Sequence, residues 1–237
     1  MILTDDRPAT YADIEALPAN MVGQILYGAL HAHPRPAPRH ARASTRMGTE
    51  LEAPFDRGQG GPGGWVILFE PELHLGEHIV VPDIAGWRRE RMPALPETPY
   101  FGTAPDWVCE VLSPSTAQID RTDKLAIYAE FQVGHCWYVD PDARTLEVFA
   151  LDGASWRLAA TFKNADPVTA PPFEVHTFAL DLLWTLWSAF NLYGRISGVE
   201  EIVCAFVRGE FSEQSGDSVA HDVACSRPGL AQKRLEF

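Results

Sequence analysis

The sequence has few cysteines and no long apolar run. Its only cysteines are the widely spaced Cys109, Cys136, Cys204 and Cys225. No two of them form a Cys-x-x-Cys pair, which argues against a zinc knuckle and a disulfide framework. The longest apolar stretch, residues 178–190, is broken by Asp181 and is shorter than the roughly 20 residues that span a bilayer. The first thirty residues lack the pattern of a secretory signal. We therefore expect no membrane association and a reducing, cytoplasmic setting.

Positive charge is also scarce. Lys and Arg total 19 against 32 for Asp and Glu, a formal net charge of -13, which disfavours nonspecific capture of a polyanion. Hydrophobic residues make up 46% and charged residues 22% of the chain, a composition that supports a real core. With 237 residues, the chain is long enough for one large domain with an appendage or for two small domains.

The clearest pattern is a strand, a helix and a second strand in the second half of the chain. Residues 107–112 are apolar on both faces except for Glu110, as in a central strand covered on each side. A helical pattern follows and ends at Gly134, and residues 135–139 form the next strand. This order predicts a right-handed crossover between parallel strands. Residues 145–151 and 156–162 then alternate as a β-hairpin.

The flanking regions add further elements. A hairpin is predicted over residues 22–30, a helix over 39–53 and strands over 65–69 and 78–81. Residues 85–105 are interpreted as a connection, and an apolar helix is predicted over 180–193. The expected fold is α/β (α+β), with a mixed β-sheet flanked by helices and with extra N-terminal and C-terminal hairpins. We assign residues 1–188 to one domain and 189–237 to a polar C-terminal extension, for which disorder, local packing and exchange onto a partner chain all stay open.

Four ionisable residues stand at positions where chemistry is possible. Asp83 ends a strand after Pro82, Glu110 lies inside a buried strand, and Asp120 and Lys124 are four residues apart on the next helix. The ordinary explanation for Asp83 is a turn aspartate, and for Asp120 and Lys124 it is a surface ion pair. Burying Glu110 without a cation or donors, however, costs several kcal/mol. Two carboxylates, a backbone carbonyl and a lysine suit a magnesium-dependent phosphodiesterase.

Four segments resemble a known family. They read VPDI at 81–84, APDWVCEVLSPST at 104–116, DRTDKLAIY at 120–128 and VGHCWYVDP at 133–141. In these segments the chain is similar to the bacterial Uma family of restriction endonucleases, within the PD-(D/E)XK nuclease superfamily, and the similarity extends over residues 11–187. The resemblance implies a restriction-endonuclease-like core and a DNA endonuclease that uses Mg²⁺ or Mn²⁺ to activate water.

The resemblance also implies roles for particular residues. Asp83 and Glu110 would bind the metal, together with the carbonyl of Val111. The superfamily pattern places a lysine two residues after the glutamate, where this chain has Leu112. The lysine is therefore expected on the next helix, as Lys124.

Four more residues are expected to support these. Asp120 would orient Lys124 or serve as an outer acid. Gln24 stands where the family usually has an acid, Glu70 could supply another acid near the metal, and His40 could touch phosphate or close the site.

DNA is the expected partner, and a homodimer is plausible because cutting two strands requires two sites. The arginines expected to contact DNA are Arg42, Arg46, Arg88 and Arg89. Seven acids and one basic residue lie between Glu50 and Asp83, so we expect weak DNA binding that depends on metal and salt. One alternative is a catalytically inactive nucleic-acid-binding or structural protein that kept the fold. A cupin-like metal site at His31 and His33 is disfavoured because no further ligand follows at a suitable spacing.

Overall fold

The computed structural model describes residues 2–3 and 7–185, which form two main β-sheets and a few helices. The strands are β1 (Ile2–Leu3), β2 (Met21–Leu26), β3 (Ala29–Pro34), β4 (Trp65–Phe69), β5 (Leu73–Leu75), β6 (His78–Val80), β7 (Ile84–Arg88), β8 (Trp107–Val111), β9 (His135–Asp140), β10 (Thr145–Asp152), β11 (Ser155–Lys163), β12 (Pro167–Val168) and β13 (Phe178–Ala179). The helices are α1 (Tyr11–Glu15), α2 (Pro38–Leu51), α3 (Ala117–Ile119) and α4 (Leu125–Glu130), with π-helical turns at Glu52–Asp56 and Asp120–Lys124 and a 3-10 helix at Leu180–Leu183. Within the described ranges, no helix has the length and apolar character needed to cross a membrane.

The larger sheet has six strands in the order β11-β10-β9-β8-β7-β4. Strands β8 and β9 are parallel and the other neighbours are antiparallel. The chain between β8 and β9 contains α3, the second π-helical turn and α4, so the predicted strand–helix–strand crossover is present. The predicted hairpin is β10 and β11. The mixed sheet and the α+β class match the sequence prediction.

The second sheet has five strands in the order β1-β3-β2-β6-β5. Its hairpin, β2 and β3, turns at Tyr27 and Gly28, which both have positive φ angles (50° and 79°). This hairpin was predicted over residues 22–30. The predicted strands at 65–69 and 78–81 are also present, as β4 and β6, but they belong to different sheets.

Two parts of the prediction were wrong. The region 85–105 was interpreted as a connection, yet Ile84–Arg88 is a strand between β4 and β8. Its central residue, Gly86, lets the Trp65 and Trp107 rings approach, since a Cβ there would lie 3.2–3.3 Å from both. Within the described residues, the predicted helix over 180–193 is present only as a 3-10 helix at Leu180–Leu183, with Trp184 as its C-cap. Residues 186–193 of that prediction and the extension 189–237 lie outside the described residues.

The six-stranded sheet separates two apolar clusters. Alternation along β8 sends Trp107, Cys109 and Val111 into one cluster and Val108 and Leu112 into the other. The second cluster also contains residues of α4 and β9. Glu110 lies between Val108 and Leu112 on this face, so its carboxylate points toward the crossover helix.

Candidate active site

Glu110 and Lys124 form a buried ion pair. The side chain of each is 2% exposed, and Lys124 Nζ lies 2.7 Å from Glu110 Oε1. The same oxygen accepts a 2.5 Å hydrogen bond from the hydroxyl of Tyr128. Glu110 Oε2 accepts no hydrogen bond from any residue in the described part of the chain. One carboxylate oxygen is thus saturated by two donors, and the other is available to a ligand.

Lys124 has two further contacts. Its ammonium lies 3.3 Å from Asp120 Oδ1 and donates a 3.1 Å hydrogen bond to the carbonyl oxygen of Val81. Asp120 is also buried, at 4% exposure, which excludes the interpretation of this pair as an exposed surface contact. Both residues belong to the second π-helical turn, a local widening that often marks functional sites. The helix therefore brings Lys124 back to the strand end that carries Asp83.

The side chain of Asp83 contacts both the end of β8 and helix α2. Its Oδ2 accepts a 2.7 Å hydrogen bond from the Val111 N–H. Its Oδ1 lies 3.2 Å from His40 Nε2, and both side chains are largely buried. The other ring nitrogen of His40, Nδ1, is buried without a hydrogen-bond partner in the described structure. Asp83 is consequently fixed on both sides while still lining the cavity beside Glu110.

The Val111 carbonyl is left without a strand partner. Leu112 N–H donates to the Val139 carbonyl, so by alternation the peptide groups of Val111 face β7. Continuing the β7–β8 register places Pro82 opposite Val111, and proline has no N–H to donate. Because Pro82 cannot donate a hydrogen bond, the Pro82-Asp83 pair leaves the Val111 carbonyl without a strand partner next to an aspartate.

Gln24 holds the segment before Asp83. Its Oε1 accepts a 2.9 Å hydrogen bond from the Val81 N–H, and its Nε2 lies 3.4 Å from His33 Nε2. Because Lys124 binds the carbonyl of the same residue, Val81 is held through both backbone groups. Glu70 also lines the cavity, but its side chain is 41% exposed and lies 3.8 Å from Arg35 Nη1.

The electrostatics of the cluster follow from its burial. Burial raises the pKa of Glu110 to about 8, although Lys124 opposes this shift. Burial also disfavours the Lys124 ammonium, but Glu110 and Asp120 outweigh it and raise the pKa of Lys124, which stays protonated. For His40, burial is likewise outweighed by its hydrogen bond to Asp83 and by the nearby carboxylates, so its pKa is raised. The carboxylates of the cluster therefore still favour the binding of additional positive charge.

These groups surround a cavity of about 270 Å³. Asp83 and Glu110 line this cavity and offer carboxylate oxygens to a cation. Val111 is not one of the lining residues, but its carbonyl lies next to them and has no strand partner among the described strands. Within residues 7–185, no three His, Cys, Asp or Glu side chains converge on one point, so His31 and His33 do not form a site of that kind. Two carboxylates and one carbonyl fit a hard divalent cation that keeps several waters, as Mg²⁺ does.

The predicted DNA-contacting arginines lie in different places. Arg42 donates to the Thr185 carbonyl, and Arg46 is half-buried on α2. Arg88 ends β7, about 13 Å of strand from Ile84 at roughly 3.3 Å per residue, and stacks on Trp65. Arg89 contacts Asp56. Arg88 and Arg89 are therefore not brought together with the cavity.

One tyrosine was missed as a member of the site. Tyr128 has apolar neighbours at helical spacing, a pattern that indicates a core position and not a site residue. Tyr138 in β9 is not part of the site: its hydroxyl donates a 2.6 Å hydrogen bond to the backbone carbonyl of Asp120, and it does not line the cavity. The spacing Lys124-x-x-x-Tyr128 was the available signal, since residues four apart share one face of a helix.

Comparisons with known proteins give a family and a similar fold. Residues 12–182 match the model of the Uma2 family, described as "Putative restriction endonuclease". No curated protein matches the chain. Among solved structures, the chain is similar to the crystal structure of a "putative nuclease" belonging to DUF820 from Anabaena variabilis ATCC 29413. The two share 22% identity with a TM-score of 0.61 over 75% of this chain and 98% of the other. This second similarity concerns the fold alone.

Proposed function

Since the chain belongs to the Uma2 family, we propose that it is a metal-dependent endonuclease that hydrolyses phosphodiester bonds in DNA. The family supports a nuclease in general terms. The metal, the DNA substrate and the chemical step are the proposal, and they rest on the residues around the cavity.

The buried contact between Lys124 and Glu110, beside Asp83, is the observation that carries the proposal. A buried ion pair is seldom the most stable solution, since well-packed apolar residues often serve equally well or better. Here the pair lines an open cavity and Glu110 has a strongly raised pKa. Such a combination is typical of functional sites. A purely structural role would not require the neighbouring Asp83 or the unpaired Val111 carbonyl.

Asp83, Glu110 Oε2 and the Val111 carbonyl would hold the cation. When bound, Mg²⁺ or Mn²⁺ supplies a water of lowered pKa and offsets charge on the phosphate oxygens. The ammonium of Lys124, held at Glu110 and at the Val81 carbonyl, would orient that water or offset negative charge developing at phosphorus. His40 holds Asp83 in place.

The inactive alternative has one specific observation behind it. Gln24 stands where the family usually carries an acid, and it brings no charge. Its Oε1 is committed to the Val81 N–H, so it serves here as a clamp on the backbone. Asp83 and Glu110 are both retained, however, and they are the acids that the proposed chemistry requires.

DNA contact and dimer formation extend the proposal. Arg35 lines the cavity mouth and its side chain is 65% exposed, which places it well to meet a phosphate. Cleavage of both strands requires two such sites, and a homodimer would provide them. The net charge of -13 opposes the encounter, so binding has to rest on the metal and on local arginine–phosphate contacts, which weaken as salt rises.

A plasmid-nicking assay tests the proposed function. Supercoiled plasmid and single-stranded DNA are incubated with the full chain over a titration of Mg²⁺ and of Mn²⁺. We expect metal-dependent nicking by the wild type and by the exposed-site control Glu97→Ala, and a loss of at least about a hundredfold in Asp83→Ala and Glu110→Ala. Nicking that persists in both active-site variants, or that never responds to metal, favours the inactive alternative.

A further inference from the structure

Tyr128 is fully buried on α4, with no exposed surface. Its hydroxyl donates to Glu110 Oε1 at 2.5 Å, and Lys124 binds the same oxygen at 2.7 Å. Lys124 and Tyr128 are four residues apart, so they project from one helix face toward β8. One helix therefore holds one oxygen of the carboxylate with two donors.

This double contact determines which oxygen remains for a ligand. With Oε1 occupied by the phenol and the ammonium, Oε2 is the oxygen left without a donor among the described residues. Rotating the Glu110 side chain would break two hydrogen bonds inside a low-dielectric core, where unpaired polar groups are costly. Glu110 is consequently restrained to the orientation that leaves Oε2 available on the cavity side.

The chemical nature of the second donor matters as well. A phenol is neutral, so it orients the carboxylate without cancelling the negative charge that a cation needs. Burial and the adjacent Glu110 raise the pKa of Tyr128 well above its usual value, and the hydroxyl stays a donor. Tyr138 provides a contrast on the neighbouring strand, because its buried hydroxyl donates to a backbone carbonyl, that of Asp120.

We propose that Tyr128 is a positioning residue that fixes Glu110 through Oε1 and so presents Oε2 to the divalent cation. This inference rests on the proposed function. It assigns no contact between Tyr128 and substrate.

Calorimetric titration of the full chain with MnCl₂, without DNA, tests the inference. Tyr128→Phe removes the hydroxyl and keeps the ring, and Tyr138→Phe is the matched control that loses a buried hydroxyl bound to the backbone. We expect Tyr128→Phe to weaken Mn²⁺ binding by about tenfold to a hundredfold, the usual cost of losing a group that orients a metal ligand. Tyr138→Phe should weaken it by less than about threefold. At saturating Mn²⁺, the KM for DNA should be unchanged in Tyr128→Phe.

The outcomes separate the inference from the proposed function. Wild type that binds no Mn²⁺ overturns both. Equal Mn²⁺ affinity in wild type and Tyr128→Phe overturns the inference alone, and so do equal losses in Tyr128→Phe and Tyr138→Phe, which would indicate general loosening of the core. Should Tyr128→Phe fail to fold by circular dichroism, Tyr128→Met provides a flexible apolar replacement for the same comparison.

Discussion

Replacing Lys124 with methionine should destabilise the protein far more than an ordinary surface substitution. The Lys124 side chain is 2% exposed and its ammonium contacts Glu110 at 2.7 Å and Asp120 at 3.3 Å. Removing one partner of a buried pair leaves an uncompensated charge and costs about 3–5 kcal/mol, a large share of the roughly 5–15 kcal/mol that stabilises a typical domain. Glu110 can relieve part of this cost by taking up a proton. The loss should therefore be larger at about pH 9 than at about pH 6.

Urea denaturation at the two pH values measures this effect. Lys163→Met is the control, because Lys163 is exposed and its replacement should change the free energy of unfolding by less than about 0.5 kcal/mol. Adding Glu110→Gln to Lys124→Met should recover about 1–3 kcal/mol, since it removes the stranded charge. A loss below about 1 kcal/mol at both pH values, the usual size for exposed pairs, would refute the reasoning, and so would additive effects in the double variant.

Three further predictions concern the charged groups of the site. Burial raises the pKa of Glu110 to about 8, so below that pH a cation must displace the proton of the carboxyl group. The Mn²⁺ affinity measured by calorimetry should therefore rise with pH by up to about tenfold per unit and level off above about pH 8. A flat profile from about pH 6 to 8 would contradict this. Without metal, the raised pKa means that Glu110 contributes to the free energy of unfolding in full below pH 4.5, its ordinary pKa. This contribution is lost as the pH rises through about 8. Gln24→Glu keeps an acceptor for the Val81 N–H and adds negative charge to the cavity, so it should strengthen Mn²⁺ binding by about tenfold in the same titration. The control is Gln132→Glu at an exposed glutamine, which should leave Mn²⁺ binding unchanged.

The sequence predicted those parts of the fold that depend on neighbouring residues. The strand around Glu110, the crossover and both hairpins follow from local periodicity and turn residues. Strand β7 was missed because its centre is Gly86 and its end is Arg88, so its pattern does not alternate. Only the two tryptophans that pack over Gly86, contributed by other strands, explain why a glycine stands there.

The site was predicted to a similar extent. Asp83, Glu110 and Lys124 are brought to one cavity, as the sequence led us to expect. The contact of His40 with Asp83, the clamp of Gln24 on Val81 and the hydroxyl of Tyr128 on Glu110 were not foreseen. Each of these joins residues far apart in the chain, so the register between two elements decides it. Composition and spacing within one element carry no such information.

The position of the lysine has a consequence for how the site can fail. In the superfamily pattern the lysine shares a strand with the glutamate, whereas here that strand position is Leu112, which packs in the apolar core. Lys124 instead comes from the crossover helix, and the two charges meet only while that helix stays docked on β8. A helix that lifts away locally would separate lysine from carboxylate and leave the sheet intact. Loss of activity on heating would then precede global unfolding, and the docking of one helix would set the upper temperature of the site.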